Sequence, residues 1–472
     1  MSNSQIGIYG LAVMGQNLVL NIADQGFAVT VYNRTESKTR QFMETINAEK
    51  PIDAAYTLEE FINRLAKPRR VLLMVKAGKA VEAVIEQLAP LLEADDIVLD
   101  GGNSHYKQTE QHAERLAAHG IAYLGLGISG GEAGARHGPS LMPGGPPEAY
   151  SAVQPILEAI AAEAQGEPCV AWLGPGSAGH YVKMVHNGIE YAMMQAIAEV
   201  YDLLKRGAQL PAEQIGSWFE QWNQGVLASF LVEITGHILQ YREAGSSQPL
   251  IDLIADRAKQ KGTGKWTSQD ALDLGVPVPT LSAAVEARLL SAFKPERKRA
   301  ATLLQGPAPV SHPPADLKRL AQNLEDALLA TFVCAYAQGF SLLRFASAEY
   351  DYNLNLATVA SIWRNGCIIR SDLLEAIRQT FASPHPPANL LTAPYFVRLL
   401  ADRQVAWRAV VQQAVQMGVP TPALGSALAY YDGYRSARLP ANLIQAQRDY
   451  FGAHTYERLN EIGQFHADWQ AK

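Results

Sequence analysis

The sequence predicts an α/β domain, then a large domain built entirely of helices, then a polar tail. Within residues 1–177, short runs rich in β-branched residues alternate with helical patterns, which is typical of a parallel sheet wound with helices. The segment GPGSAG at residues 174–179 can continue neither kind of element, so we expect a domain boundary there. Over residues 178–438 the apolar side chains have helical spacing, and residues 439–472 form the tail.

Composition limits the classes of function. The chain is 48% apolar and 18% charged, which is the balance of a compact protein rather than a disordered one. A net charge of -6 gives no broad surface for nucleic acid or an anionic membrane. Charges interrupt the apolar runs before the roughly 20 residues of a membrane span, and the chain opens without a leader pattern, so we expect a cytoplasmic protein. Cys169, Cys334 and Cys367 lack CxxC spacing, so we expect reduced, buried thiols and no metal site.

The predicted strands of the first domain each end at a turn residue. They lie in IGIYG, AVTVYN, VLLMV, DIVLD and IAYLGLGIS. The first strand runs into the turn at residues 10–15 and then into a helix pattern, which is the context of a dinucleotide-binding turn. Gly10 makes the turn, Ala12 is small enough for a pyrophosphate to approach the backbone, and Gly15 lets the helix pack on the strand. These features predict a Rossmann domain.

The second strand indicates which dinucleotide binds. It ends at Asn33, Arg34 and Thr35, where an NAD enzyme carries an acidic residue for the ribose hydroxyls. Arg34, helped by its two neighbours, can instead pair with a 2′-phosphate, so we expect NADP. The alternative is an arginine exposed in a turn.

Two later strands end in polar residues, at the edge where such sheets bind ligands. Asn103 follows DIVLD, although a plain turn is the alternative. Ser129, Gly130 and Gly131 follow the last strand, in a glycine-rich stretch whose amides can crowd a ligand. The same letters fit the hydrolase pattern G-x-S-x-G. Such an elbow must lead directly into an apolar helix, whereas we expect this chain to continue through glycines and a proline.

The segment KMVHNGIEY at residues 183–191 carries the strongest chemical signal. On a helix, Lys183, His186, Asn187, Glu190 and Tyr191 share the stripe that normally holds core side chains. A polar stripe that faces the core needs a ligand or a hydrogen-bond network. The alternative is a solvated face with two surface ions.

The segment KGTGKWT at residues 261–267 looks like a P-loop but lacks its spacing, because Lys259 and Trp266 stand where Gly and Ser or Thr are required. A glycine-rich loop with two lysines still suits a phosphate, and Arg288 lies on the helix pattern that follows. Taken singly, each of these cations is more often a surface charge.

The helical half contains a faint repeat. WNQG at 222–225 and WRNG at 363–366 each follow a long helix at a similar interval, which predicts an internal duplication. The tail groups Arg448 and His454 with several aromatic residues, and tails of this composition usually dock on a surface.

Together these motifs closely resemble those of the 6-phosphogluconate dehydrogenase family. The resemblance covers essentially the whole chain and rests on GLAVMGQNL, NRT, VKAG, DGGNSHY, ISGGEAGARHGPSLMPGG, KMVHNGIEY, KGTGKWT, CIIRS and LPANLIQAQRDYFGAHTYER. It implies NADP-dependent oxidation and decarboxylation of 6-phosphogluconate to ribulose 5-phosphate, in the pentose phosphate pathway. It also implies a homodimer in which the tail of one subunit reaches the active site of the other.

The resemblance further implies roles for individual residues. Lys183 would be the general base and acid, and Glu190 the second proton donor. The implied substrate-binding residues are Asn103, Ser129, Gly130, Gly131, His186, Asn187, Tyr191, Lys261, Arg288, Arg448 and His454. The implied cofactor-binding residues are Gly10, Leu11, Ala12, Val13, Met14, Gly15, Asn33, Arg34, Thr35, Val75, Lys76, Ala77 and Asn103.

Two other classes of protein are alternatives. A β-hydroxyacid dehydrogenase that does not decarboxylate would share the Rossmann turn and the lysine, but Lys261, Arg288 and Arg448 suit a phosphate dianion. A non-catalytic NADP-binding sensor would have no need of the Lys183 and Glu190 pair.

Overall fold

The computed structural model describes residues 3–47, 49–307 and 316–469, so residues 1 and 472, the outer ends of the predicted segments, lie outside the described residues. The chain forms two compact units, Met1–Ala427 and Leu428–Lys472. The α/β part and most of the helical part therefore belong to one unit. The second unit contains the predicted tail together with residues 428–438.

A seven-stranded sheet forms the centre of the α/β part. Its strands are β1 Ile6–Tyr9, β2 Val29–Tyr32, β3 Ile52–Ala54, β4 Arg70–Leu73, β5 Ile97–Asp100, β6 Ala122–Ser129 and β7 Ser140–Gly144. Their order is β3-β2-β1-β4-β5-β6-β7, and all neighbours are parallel except β6 and β7. The first six strands have the Rossmann order, whose ligand crevice lies beyond the carboxyl ends of β1 and β4. The predicted fold class is thereby confirmed.

Strands β3 and β7 and the short pair β8 Glu163–Ala164 and β9 Glu167–Pro168 were not predicted from the sequence. β7 contains Pro143 and Gly144, which are unfavourable in a strand. It is tolerated because it lies at the edge of the sheet, where a proline without an N–H breaks no ladder on the outer side. The sheet is therefore mixed rather than wholly parallel.

Helices cover both faces of this sheet. They are α1 Val13–Asp24, α2 Glu36–Glu44, α3 Leu58–Asn63, α4 Lys79–Leu88, α5 Tyr106–Ala117, α6 Gly131–His137 and α7 Pro147–Ile160. Along β4, Leu72 packs in one apolar core with Leu18 of α1. Leu73 packs in the other core with Phe61 of α3 and Leu116 of α5. The alternation follows from the strand, whose successive side chains point to opposite faces.

In the described residues, the second part of the first unit is built of helices with one isolated β-bridge. The helices are α8 Ala178–Asp202, α9 Ala212–Trp222, α10 Phe230–Gln240, α11 Thr263–Asp273, α12 Pro279–Ser291, α13 Lys294–Leu303, α14 Leu317–Glu349, α15 Leu356–Ile362, α16 Leu373–Phe381, α17 Pro394–Met417 and α18 Pro422–Tyr434, the last of which continues into the second unit. The long helices α8 and α14 pack against each other. The three cysteines are free and buried.

Helix α14 is an exception to the expectation that charges interrupt every long apolar run. By length and composition it is apolar enough to cross a membrane, so charges do not interrupt every such run in the sequence. However, 89% of its most apolar stretch is buried inside the protein, as in the core helix of a globular fold.

The two WxxG segments occupy similar places. WNQG ends α9 after the long helix α8, and WRNG follows α15 after the long helix α14. The chains that leave them meet at an antiparallel bridge between Ser229 and Ser371, next to a hydrogen bond from Phe230 N–H to the Arg370 carbonyl (3.1 Å). This arrangement supports the internal duplication, which stays a prediction.

The second unit is organised around one buried carboxylate, Asp449, on α19 (Ala441–Gly452). Asp449 accepts hydrogen bonds from the Thr455 N–H (2.9 Å) and Trp469 Nε1 (2.7 Å), and it lies 2.9 Å from His466 Nδ1. Burial alone would raise the pKa of Asp449, but the hydrogen bonds from His466 and Trp469 outweigh it and lower the pKa to about 2. The tail is thus folded on itself, and the turn that carries His454 is fixed to α19.

Candidate active site

A cleft of about 300 Å³ opens at the carboxyl ends of β1 and β4. It is lined by Tyr9, Gly10, Ala12, Asn33, Arg34, Thr35, Lys38, Met74, Val75, Lys76, Ala80, Ala83, Val84 and Gln87. Helix α1 begins beside it, and no side chain caps the helix's first N–H groups, which suits a phosphate. Gly15 lets α1 come this close, because an added Cβ would lie 2.0 Å from the Gly10 carbonyl oxygen. Of the predicted segments 10–15, 33–35 and 75–77, the cleft is lined by Gly10, Ala12, Asn33, Arg34, Thr35, Val75 and Lys76. Leu11, Val13, Met14, Gly15 and Ala77 are not among the residues that line it.

Two residues predicted to bind the cofactor, Asn33 and Leu11, make contacts within the protein instead. Asn33 Oδ1 accepts the Leu11 N–H (3.1 Å), and Asn33 Nδ2 donates to the Thr35 carbonyl (3.1 Å). The Asn33 amide thus braces the two turns against each other rather than standing ready for a phosphate. The Leu11 side chain is buried in the core.

Arg34 is exposed at the cleft and has no ion-pair partner among the described residues. Lys38, in the first turns of α2, lines the same cleft and supplies a second cation that the sequence analysis misses. Its place in the first turn of α2, three residues after the N-cap Thr35 that ends the predicted segment 33–35, is the signal that could have revealed it. Two cations at one cleft fit the 2′-phosphate of NADP.

Asn103 lies just beyond β5, on a turn that the buried carboxylate of Asp100 holds in place. Asp100 accepts hydrogen bonds from the Gly102 N–H (2.9 Å), Ser104 Oγ (2.5 Å) and the Tyr123 hydroxyl (3.0 Å). Asn103 is half-buried, and its amide makes no hydrogen bond to the part of the chain that the structure describes. The turn therefore holds an unengaged amide at the carboxyl edge of the sheet.

Strand β6 places Ser129 against α8. Ser129 Oγ lies 3.1 Å from His186 Nε2 and accepts the Ile368 N–H at 3.4 Å. Gly127 permits this approach, since an added Cβ would lie 2.5 Å from Lys183 Cβ. The end of the last parallel strand is thus in direct contact with the polar stripe.

The chain after Ser129 passes through two glycines into a short helix. Gly130 has a φ of 108°, and α6 begins at Gly131. Ala135 is the buried residue of α6, so this is not the apolar helix that a hydrolase elbow requires.

Four polar side chains of α8 lie together in the interior. Lys183 is 5%, His186 0% and Asn187 8% exposed, and the Glu190 side chain is 19% exposed. His186 Nδ1 lies 3.5 Å from Lys183 Nζ, 3.0 Å from Asn187 Oδ1 and 3.8 Å from Glu190 Oε2. The alternative of a solvated face is therefore wrong, and the imidazole links the amine to the carboxyl group.

Burial sets the protonation of this group. It lowers the pKa of Lys183 to about 8, although Glu190 acts in the opposite direction. Burial and then Lys183 lower the pKa of His186 well below its ordinary value. Burial raises the pKa of Glu190, against the attraction of Lys183 and Arg288. Each shift favours the uncharged form, so Lys183 can release a proton and Glu190 can hold one closer to neutral pH.

The neighbouring cations lie on α12 and before α11. Arg288 Cζ stands 3.5 Å from the centre of the Tyr191 ring, a cation–π contact. Asn187 Nδ2 donates to Thr263 Oγ1 at 3.1 Å, which joins the start of α11 to the stripe. Lys261, two residues before Thr263, is exposed and has no ion-pair partner in the described ranges. Two cations thus flank the polar stripe.

Arg448 and His454 belong to the second unit. Both side chains are exposed, and Arg448 Nη1 donates to Gln445 Oε1 at 3.1 Å. Their role at the site stays a prediction that rests on the resemblance.

Some neighbours of the stripe were not assigned to the site from the sequence. The Trp363 ring meets the His186 ring edge-on, with centres 5.7 Å apart. Cys367 donates to the Trp363 carbonyl (3.1 Å), and burial raises the pKa of this thiol to about 12 although Lys183 opposes the shift. The segment WRNG shows Trp363 only as part of a repeat, so the sequence holds no sign of its contact with His186. Among the residues described, no group of three or more His, Cys, Asp and Glu side chains is placed to hold a metal ion.

A Rossmann sheet with free cations at its nucleotide cleft, next to a buried lysine and carboxylic acid on one helix, defines a nucleotide-dependent dehydrogenase that works by acid–base chemistry. The family model described as the NAD binding domain of 6-phosphogluconate dehydrogenase matches residues 5–174, and the model of the C-terminal domain of the same enzyme matches residues 179–469. The chain belongs to the 6-phosphogluconate dehydrogenase family.

Named relatives agree over the full length. The chain is 52% identical to the decarboxylating 6-phosphogluconate dehydrogenase of Synechococcus elongatus, covering 99% of this chain and 100% of that one. It is 51% identical to the NADP(+)-dependent, decarboxylating enzyme of Bacillus subtilis, again over 99% and 100%. The solved structure of the Plasmodium falciparum 6-phosphogluconate dehydrogenase, described in its apo form and with NADP+ and 6-phosphogluconate, matches with a TM-score of 0.94 and 42% identity, covering 98% of this chain and 100% of that one.

Proposed function

We propose that this protein catalyses the NADP-dependent oxidative decarboxylation of 6-phosphogluconate to ribulose 5-phosphate and carbon dioxide, with Lys183 and Glu190 as its proton-transfer groups. The function and the cofactor predicted from the sequence are confirmed by the full-length relatives. The observation that carries the assignment of residues is the buried stripe of α8, where His186 lies between an amine and a carboxyl group whose pKa values burial moves toward neutrality.

The cleft beyond β1 and β4 fits NADP. Arg34 and Lys38 would hold the 2′-phosphate, and the N–H groups at the start of α1 would hold the pyrophosphate. When bound, NADP takes up the hydride that leaves the substrate. Val75, Lys76 and Ala77 would line the other side of the cofactor, near Asn103.

Lys183 is suited to remove the proton of the C3 hydroxyl. A lysine with an ordinary pKa is almost wholly protonated near neutral pH, whereas a pKa of about 8 leaves a useful fraction of free amine. The amine takes the hydroxyl proton as the carbinol carbon is oxidised. The ammonium group then donates to the oxygen of the enolate that forms when the 3-keto acid loses carbon dioxide.

Glu190 is suited to finish the reaction. The enediol left after decarboxylation must gain a proton at C1, and a carboxyl group whose pKa is raised by burial still holds one. Lys183 Nζ and Glu190 Oε2 lie 3.5 and 3.8 Å from His186 Nδ1, so the two groups sit around one imidazole and can serve neighbouring carbons of the sugar acid. His186, which stays neutral, can accept from Ser129 and donate to Asn187.

Cations and amides would hold the rest of the substrate. Lys261 and Arg288 would bind the phosphate. The sugar acid would be bound by Asn103, Ser129, the amides of Gly130 and Gly131, and the α8 side chains His186, Asn187 and Tyr191.

We further propose a homodimer in which Arg448 and His454 of one subunit complete the phosphate site of the other. The exposure of both tail side chains on a folded unit supports this arrangement. We also propose a cytoplasmic location.

One assay tests the proposal. The protein is mixed with NADP and 6-phosphogluconate, and both the absorbance of the reduced cofactor and the release of carbon dioxide are followed. Equal amounts of both products are expected. Cofactor reduction without carbon dioxide would indicate a dehydrogenase that does not decarboxylate, and neither product would indicate a binding protein.

A further inference from the structure

A second buried carboxylate joins the α/β part to the helical part. Asp270 on α11 is 3% exposed and accepts hydrogen bonds from three tyrosine hydroxyls. Tyr106 and Tyr350 donate to its Oδ1, the latter at 2.8 Å, and Tyr181 donates to its Oδ2. Tyr106 is the first residue of α5 in the α/β part, whereas Tyr181 lies on α8 and Tyr350 is the C-cap residue that follows α14.

The hydroxyl groups are fixed as donors. Burial, with a contribution from the Asp270 carboxylate, raises the pKa of Tyr106, Tyr181 and Tyr350, the last to about 12. Within the described residues no Lys, Arg or His side chain forms an ion pair with Asp270, so these hydroxyls compensate its charge. A buried carboxylate that loses a hydrogen-bond donor is destabilised. The arrangement in which all three hydroxyls donate to Asp270 is therefore favoured over alternatives.

Tyr106 is attached to the loop that carries Asn103. His105, between the two, stacks on the Tyr106 ring with centres 4.9 Å apart and meets Trp266 of α11 edge-on at 4.8 Å. The other end of the turn is also fixed, because His180 Nε2 of α8 lies 3.0 Å from the carbonyl oxygen of Asp100. The turn therefore has one anchor on α8 and one on α11.

Helix α11 is held firmly against the polar stripe. Thr263 accepts from Asn187 at 3.1 Å, and Thr267 Oγ1 donates to the Met184 carbonyl at 2.9 Å. Asp270 is consequently fixed relative to α8 even without its tyrosines. If the bond from Tyr106 is lost, the Asn103 loop is the element that moves.

We propose that Asp270 is a positioning residue, which acts through the Tyr106 hydroxyl to set where Asn103 lies relative to Lys183 and Glu190. The proposal rests on the proposed function only for the role of Asn103. It predicts that Asp270 and Tyr106 affect turnover although neither lies in the acid–base stripe. A displacement of about 1 Å at a group that orients a substrate is worth up to about a hundredfold in rate.

The first test compares two tyrosines that donate to the same carboxylate. Tyr106→Phe removes the link to the Asn103 loop and should lower kcat/KM for 6-phosphogluconate roughly 10- to 100-fold at saturating NADP. Tyr181→Phe removes a similar buried hydrogen bond but leaves the loop attached, and it should stay within about twofold of the wild type because Thr263 and Thr267 still hold α11. Equal losses in the two variants would overturn the proposal.

A double-mutant cycle separates positioning from general damage. In an Asn103→Ala background, Tyr106→Phe should cost no more than about twofold, because the side chain it positions is gone. In the same Asn103→Ala background, Asp270→Asn should likewise lower kcat/KM by no more than about twofold. Additive losses in both cycles would overturn the proposal alone, whereas full activity of Asn103→Ala would overturn the role of this residue in the proposed function, and the proposal with it.

Discussion

Lys183 Nζ lies 3.5 Å from His186 Nδ1, and both side chains are buried. Two positive charges at this distance in the interior repel each other strongly, so at most one of the groups is charged. Lys183 is the group that titrates, because its pKa is about 8 whereas that of His186 is well below its ordinary value. The charge of the Lys183–His186 pair near neutral pH is therefore set by a single proton on Lys183.

The first prediction concerns pH. Since the reaction begins with the neutral amine, kcat/KM should rise with pH and level off above about 8, the pKa of Lys183. Below this pH the amine is protonated, and each unit of pH should cost about tenfold. A profile of kcat/KM against pH measures this directly. A profile that is flat between pH 6 and 9 would contradict the assignment of Lys183 as the base.

The second prediction concerns Lys183→Met. The substitution removes a buried amine and keeps the length of the side chain, so the variant should fold and bind NADP while turnover is lost. Cofactor titration and steady-state assays are the measurements. The exposed Lys298 on α13 provides a matched control, and Lys298→Met should keep its activity. If Lys183→Met retains turnover, His186 becomes the first candidate for the base.

The third prediction concerns cofactor choice. Arg34→Ala should weaken NADP binding by roughly 1.5 to 3 kcal/mol, the range for a hydrogen bond to a charged group, and should change NAD binding much less. Arg40→Ala is the control, because Arg40 lies on the next turns of α2 but pairs with Glu36. The measurement is the dissociation constant of the wild type and of each variant for NADP and for NAD. Equal losses for NADP and NAD would remove Arg34 from the 2′-phosphate site.

Much of this site could be predicted because its signals are local. The residues of KMVHNGIEY share a face at helical spacing, and Arg34 stands at a fixed offset from the glycine turn. Side chains that meet across the fold leave no such pattern. Asp270 is one acidic residue among many in the sequence, and only the fold brings Tyr106, Tyr181 and Tyr350 onto it.

The strands also divide into those with a local signal in the sequence and those without one. Strands β1, β2, β4, β5 and β6 were predictable because they are short runs rich in β-branched and other apolar residues, as buried parallel strands are. Strand β7 was not, because its sequence SLMPG has no strand signal and its pairing with β6 decides its structure. The use of Asn33 to brace a loop was also hidden, since an amide that binds backbone and one that binds a phosphate look alike in sequence.

The fourth prediction concerns Glu199, on the same helix as Lys183. It is 2% exposed and accepts the N–H groups of Ala423 and Leu424 at 2.8 Å each, at the start of α18. Burial raises the pKa of Glu199 from 4.5 to about 7, although these hydrogen bonds oppose the shift. An acid with a raised pKa in the folded state favours folding when protonated. Stability should therefore fall as pH rises from about 4.5 to about 7, by roughly 3 kcal/mol.

Glu199→Gln tests this, because it replaces the titratable carboxyl group by a neutral amide of nearly the same shape. The difference in Tm between wild type and variant should change between pH 5 and pH 8 and stay constant above that, with the wild type losing stability over the interval. Glu148→Gln, at an exposed position, should show no such dependence. A Tm difference that is independent of pH would contradict a pKa of about 7 for Glu199 in the folded protein.

The fifth prediction concerns the tail. Arg448 and His454 lie on a unit that is folded around Asp449, and their side chains are exposed. Replacing both by Ala should remove two contacts to the substrate phosphate, at roughly 1.5 to 3 kcal/mol for each contact to a charge. NADP binding should remain, since the nucleotide cleft is formed by residues 9–87.

Mixing variants tests whether the tail serves the partner subunit. If tails are crossed, a Lys183→Met chain and an Arg448→Ala, His454→Ala chain should form hybrid dimers with one intact site, which combines the lysine of the second chain with the tail of the first. Activity should then return from two inactive preparations, toward half that of the wild type per hybrid dimer. The control carries all three substitutions on one chain and is mixed with wild type. If tails are crossed, a hybrid dimer of this triple variant with wild type contains no intact site. If each tail serves its own chain, the same hybrid dimer contains one intact site. If subunit exchange is demonstrated and the first mixture stays inactive while the control mixture keeps half its activity, each tail completes the site of its own chain.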